Sequence, residues 1–390
     1  MKSLEFIAGR LGKPVSYFVE DEEGERRRKE RELDLASAAA LVTRATAAKA
    51  IPRLRELLDQ DGTASDFARL RLLAGTSFNF LGQSAEALRE LAVAERLARQ
   101  LADEALERSV RYQEALAIRN LGDSARAFNM LSELLATVES ATNPDQIFRM
   151  KLLKDLGAIA IDLGEPEKAN GYLQSALQWA NEIGDVAGLI TIYHGLAHSY
   201  RALGDLDGAT GFLQKALGAT EVSNDLTAAA VLHNALAVFA AERGHVEAAY
   251  RHVDRAIEIA RVNGPAAYVP HYLNTKAECV LKLGDVLAAR RLADDALQLA
   301  QSLGNQKAAA AALVILGEIA QREGDGAAGV QRLTEAATIY RAVGSRGEAG
   351  EVYMRLSRWA HDQGATSLAE QYATMAYELT RQKTHLVGGT

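Results

Sequence analysis

Two histidines four residues apart, His194 and His198, are the first residues whose type and spacing suggest chemistry. On a helix that spacing places both imidazoles on one face, where two ring nitrogens can share a metal ion. No Glu follows His194 and no third ligand lies nearby, so groove lining or packing between helices is expected there, and no metal or other cofactor. The single thiol, Cys279, has no histidine partner that the sequence identifies; it reads as a small buried packing residue, and one cysteine builds neither a disulfide framework nor a cysteine zinc site. Lys151, Lys154, His194, His198 and Arg201 offer cationic or protonatable groups able to meet a carboxylate. Asn234 and Asn274, 40 residues apart, offer amides able to hold the C=O and N–H of an extended peptide. Tyr112, Arg119 and His271 complete the candidate set. Catalysis has no comparable constellation: the glycines around Leu203 to Gly208 punctuate helices and do not follow a strand as a phosphate-cradling loop would, and no carboxylate pair stands isolated in an apolar setting.

The elements that must position these groups are helices. The 390-residue chain carries 44 basic and 51 acidic side chains, a net charge of −7, and 48% hydrophobic residues, which excludes disorder as the main state. Aromatic residues make up 6% and prolines number six, while alanine, the strongest helix former, is abundant. Net acidity, with Arg26 to Lys29 as the one dense basic block, argues against nucleic-acid binding by this chain alone. The longest apolar stretch, Ala308 to Leu316, is far short of a membrane span, and Met1 to Glu20 lacks the apolar core of a signal peptide, so a cytoplasmic protein is expected.

A period organises the chain. Gly82, Gly122, Gly164, Gly204, Gly244, Gly284, Gly324 and Gly364 are spaced by 40, 42 and then 40 residues throughout. A second series, Gly184, Gly264, Gly304 and Gly344, falls midway, with Asn224 in the remaining slot. Turns therefore recur about every 20 residues and each period predicts one helical hairpin closed by residues that adopt positive φ. Seven residues before the main glycines stand Gly75, Ala115, Gly157, Ala197, Ala237, Ala277, Gly317 and Ser357, all small. Five residues after them stand Ala87, Ala127, Ala169, Ala209, Ala249, Ala289, Gly329 and Ala369. Small side chains at fixed places let paired helices approach closely.

This pattern resembles the tetratricopeptide repeat in a 40-residue form, over residues 33–380. The stretch from Tyr193 to Leu217 shows the family order at Tyr193, Leu196, Ala197, Tyr200, Gly204, Ala209, Leu213 and Ala216, and residues 33–61 read as a degenerate pair with Pro52 in the second helix. The resemblance implies an all-α, right-handed superhelical solenoid of about nine antiparallel helix pairs. It also implies that the first helix of each pair lines the concave face, through positions ten, six and three residues before the main glycine. Those positions include Lys154, His194, His198, Asn234, Asn274, Glu278, Val314, Glu318 and Arg358, with Arg119, Arg201 and Gln321 at the last of the three. A peptide or protein segment across the third to sixth repeats is the expected guest, and alanine at both Asn234 and Asn274 is expected to weaken its binding while leaving the melting temperature nearly unchanged.

Residues 1–21 break the period. Leu4, Ile7, Ala8, Leu11, Gly12, Pro14, Tyr17 and Phe18 resemble the last helix and turn of a repressor-like helix-turn-helix domain. The recognition helix of such a domain would lie upstream of Met1, so DNA binding is expected only of a longer product. Residues 22–32 form a charged connector of mixed sign, and residues 381–390 a loose tail. Together the two resemblances imply the ligand-sensing part of a bacterial transcription regulator, of the kind that includes peptide-pheromone receptors. A tetratricopeptide scaffold without a DNA role is the alternative. Leu368, Tyr372, Met375 and Leu379 suggest a homodimer contact on the last helix.

Overall fold

The computed structural model describes residue 10 and residues 22–43, 46–263 and 266–381. The helix-turn-helix-like residues Leu4 to Phe18, Arg10 apart, and the tail beyond residue 381 lie outside the described residues. Among the described residues the chain is all-helical, as the 40-residue period requires. The first pair is α1 (Glu22–Ala40) and α2 (Ala47–Leu58); α3 (Ala64–Phe80) and α4 (Ser84–Gln100), then α5 (Glu104–Asn120) and α6 (Ser124–Glu139), follow. Next come α7 (Gln146–Asp162) with α8 (Pro166–Ile183), α9 (Val186–Ala202) with α10 (Leu206–Ser223), and α11 (Leu226–Glu242) with α12 (Val246–Asn263). The last pairs are α13 (Val269–Lys282) with α14 (Val286–Ser302), α15 (Gln306–Arg322) with α16 (Gly326–Ala342), and α17 (Arg346–Asp362) with α18 (Thr366–Arg381). No described helix is long and apolar enough to cross a membrane.

Several turns between the helices of a pair are built from the same parts. Gly204, at φ +86°, closes α9, and the adjacent Asp205 caps α10 by accepting the Gly208 N–H at 2.8 Å. Asp123, Asp285 and Asp325 cap their helices in the same way. Asn224, in the slot where other periods have glycine, takes φ +52° as its position requires.

The small positions mark where paired backbones nearly touch. A Cβ placed on Gly157 of α7 would meet the carbonyl oxygen of Ala169 on α8 at 3.2 Å and Leu173 Cγ at 2.5 Å. The same contact recurs between Gly75 and the Ala87 carbonyl at 3.3 Å. The residue seven before each main glycine thus packs on the backbone five after it, and Ala87, Ala127, Ala169, Ala209, Ala249 and Ala289 are all fully buried.

The chain divides into two compact units, Met1–Ala117 and Ile118–Thr390, with the division inside α5 rather than at a turn. A repeat array has contacts only between neighbours, so no stretch of it is as densely tied as a globular core. In the first unit, Ala38, Leu54, Leu57 and Leu70 form one core across α1, α2 and α3, and Phe78, Leu91 and Val110 belong to the next. In the second unit, Leu213, Leu236 and Phe239 fill the space between α9, α10 and α11, and Leu333, Tyr340, Tyr353 and Leu356 that between α16 and α17. This second array curves until distant turns meet: the Gly344 carbonyl oxygen lies 2.9 Å from where a Cβ on Gly122 would stand.

The charged stretch 22–32 is helical and forms the first half of α1, with Arg26 and Glu30 paired at 2.9 Å on its solvated face. On α18, Tyr372 and Leu379 pack on the α17 core, and Leu368 is half-buried. The large apolar surface left outward reduces to Met375 and Tyr377, 42% and 58% exposed.

Candidate functional site

The groups read as site residues come from the first helices of successive pairs, and most find partners one period away. Arg119 on α5 reaches Asp162 on α7 at 2.7 Å. Arg201 on α9 approaches Glu242 on α11 at 3.4 Å, with its guanidinium 5.3 Å from the centre of the Phe239 ring. Lys154 stands 3.7 Å from its neighbour Asp155, whereas Lys151 is exposed. Tyr112 is half-buried in the first unit.

The histidines pack against each other and against a neighbouring ring. His198 Nε2 and His194 Nε2 lie 3.1 Å apart, and the His198 ring meets Phe239 edge-on at 5.8 Å. Burial first, then His194 and Arg201, push the His198 pKa down to about 3, and burial lowers that of His194. Both rings are therefore neutral at pH 7 and cannot attract a carboxylate by charge. Among the described residues no group of three or more His, Cys, Asp or Glu could hold a metal ion. A second pair that the sequence reading missed, His233 on α11 and His252 on α12, faces Nδ1 to Nδ1 at 3.1 Å. Burial, then His252 and Arg255, lower His233 to about 4.

The two asparagines are joints between helices. Asn274 is 3% exposed, and its Nδ2 donates to the Ala308 carbonyl on α15 at 2.8 Å. Asn234 Nδ2 faces His271 Nε2 on α13 at 3.4 Å. His271 is open to solvent at one edge, yet enclosure by the wall and then Lys307 lower its pKa. In both asparagines the Nδ2 is engaged and the buried Oδ1 has no partner. Alanine at Asn274 therefore breaks a buried contact between repeats, and the expected, nearly unchanged melting temperature does not follow.

A concavity of the second unit lies further along, between α13, α15 and α17, with a volume near 620 Å³. Glu278, Val314, Glu318, Gln321 and Arg358 line it, all at positions the repeat register assigns to the inner face. Lys282, Arg322, Arg355 and Trp359 join them from positions the register did not single out. Gly326 makes room for the Trp359 ring, whose Cζ2 is 3.2 Å from where a Cβ would stand. Glu318 accepts Arg322 at 2.7 Å and Arg355 at 3.4 Å. Glu278 is exposed, yet it stands among the other lining groups of the trough. Desolvation there raises its pKa, with Arg355 and Lys282 opposing and Glu318 assisting. Beneath it Cys279 is 1% exposed, its thiol pushed up to about 11 by burial and then by Glu278, so it is no nucleophile at neutral pH.

A tetratricopeptide-repeat family model matches residues 148–221. The chain contains a tetratricopeptide-repeat domain. No curated protein matches it in sequence. Among solved structures it is similar to a Rap protein complexed with competence and sporulation factor, at 12% identity, TM-score 0.71, over 92% of this chain and 99% of that one. It is also similar to the apo quorum sensor NprR from B. thuringiensis, at 14% identity, TM-score 0.62, over 90% and 99%. A third is the Rap conjugation gene regulator of plasmid pLS20 in complex with the Phr* peptide, at 10% identity, TM-score 0.60, over 92% and 98%. At these identities the likeness concerns the fold of the repeat domain.

Proposed function

We propose that the chain binds a peptide or an extended protein segment along the first helices of its second unit, as the ligand-sensing part of a bacterial transcription regulator. The trough between α13, α15 and α17 carries this reading, because it offers apolar wall, charged groups of both signs and room for several side chains in one place. The buried Cys279 and the neutral histidine pairs leave recognition, not bond-making, as the chemistry available. Two of the similar solved structures, by their descriptions, hold the Phr* peptide or the competence and sporulation factor, which supports a binding use of this fold here. The regulator context rests on the resemblance of residues 4–18 to a helix-turn-helix end. A homodimer through the last pair would use Met375 and Tyr377.

The test is an array of randomised octapeptides probed with the labelled chain. A reproducible retained set is expected, and Val314→Trp, which fills the trough from the α15 wall, should weaken retention about tenfold or more. Retention of no peptide, or equal retention by the variant, would overturn the reading.

A further inference from the structure

The trough is not electrically neutral in its demands. Four cations, Lys282, Arg322, Arg355 and Arg358, line it against three carboxylates, Glu278, Glu318 and Asp362, in a chain whose net charge is −7. Two of the cations, Arg322 and Arg355, converge on Glu318. Lys282 faces Glu278 electrostatically. Arg358 is different: it is exposed on the α17 wall, and among the described residues no acidic side chain pairs with it, although Asp362 stands one helical turn away. Its planar guanidinium is therefore left for a bound group, and its donors match a carboxylate in two-point fashion. On the facing α15 wall, the Gln321 Nε2 is buried and has no acceptor, a second donor without a partner among the lining residues. Trp359, the next residue after Arg358, and Val314, Ile315 and Leu281 supply adjoining apolar surface.

We infer that this trough selects an acidic group, either an Asp or Glu side chain or a free C-terminal carboxylate, next to an apolar residue of the bound segment, with Arg358 as the residue that reads the charge. The inference rests on the peptide-binding reading above and adds which peptides are chosen. The ordinary expectation for an acidic protein is the opposite, a preference for basic partners, since net charge steers encounter. The trough reverses it locally, because its four cations outnumber its three carboxylates and Arg358, although one turn from Asp362, makes no ion pair within the wall.

The experiment uses the full chain on randomised octapeptides made in two forms, with a free C-terminal carboxylate and with a C-terminal amide. Enrichment of Asp or Glu beside an apolar residue in both forms assigns the side chain as the charge read; retention lost on amidation assigns the terminus. Either supports the inference. Arg358→Glu should lower retention of those peptides about tenfold and shift the selected set towards Lys and Arg, while Arg358→Lys keeps part of the acidic preference. Arg358 is exposed, so an unchanged circular-dichroism melt is the check that the variants fold. Peptides selected without acidic enrichment in either form, or a set unchanged by Arg358→Glu, would overturn the inference while leaving the peptide-binding reading in place. Retention of no peptide at all overturns both.

Discussion

His198 illustrates how a residue's neighbours overrule its type. Alone it titrates near neutrality, but against Phe239, His194 and Arg201 it holds its proton only below a pKa of about 3, and His233 behaves alike at about 4. Both folded values are below the unfolded one, so as pH falls through about 6.5 the unfolded chain takes up protons that the native chain refuses. Stability is therefore complete above that pH and declines as the pH approaches the folded values. The urea midpoint is expected to fall from pH 7 to pH 5, while the His198 ring protons in NMR spectra keep their neutral-form shifts over the same range. A His198 titration centred near 6.5 would contradict the packing around it. The asparagines teach the same lesson. The sequence places Asn234 and Asn274 on the right helices, but only the structure gives the Asn274 amide to Ala308, because residue type does not say which neighbour arrives first.

At the scale of the element, the sequence was legible wherever backbone geometry demands a particular residue. Gly204 at φ +86° and Asn224 at φ +52° stand where the two turn series required positive φ, and the fully buried alanines sit where helix backbones approach. One turn departs from this. Ala102, between α4 and α5, adopts φ +51° without being glycine or asparagine, and the glycine series gave no signal there. The left-handed conformation costs an alanine roughly 1–2 kcal/mol, partly offset by the roughly 0.5–1 kcal/mol of extra chain entropy that glycine loses on folding. Ala102→Gly is expected to stabilise the first unit by about 0.5–1 kcal/mol in urea denaturation. A lowered midpoint would show that the turn is not strained.

For the whole molecule, the period predicted the helix pairs from α1 to α18, and its inner-face register carried over to the trough through Glu278, Val314, Glu318, Gln321 and Arg358. What it did not convey is where along the array the inner face opens. Around α9 and α11 the wall is closed by pairs one period apart, Arg201 with Glu242 and Asn234 with His271, whereas α13, α15 and α17 leave a cavity. Such pairs depend on side-chain reach between helices about 40 residues apart, which single-helix patterning does not encode. The division of the chain inside α5 was equally invisible, since the period runs through it unbroken.

The central claim is that a bound segment lies in this trough, and the two tryptophans make it directly measurable. Trp359 lines the cavity, while Trp179 is on α8, where Arg149 stacks over its ring at 5.2 Å. In a Trp179→Phe variant, titration with a peptide retained on the array should produce a saturable change in Trp359 emission, with a midpoint matching the Kd from calorimetry. Calorimetric binding that leaves Trp359 emission unchanged would place the segment elsewhere and contradict the account.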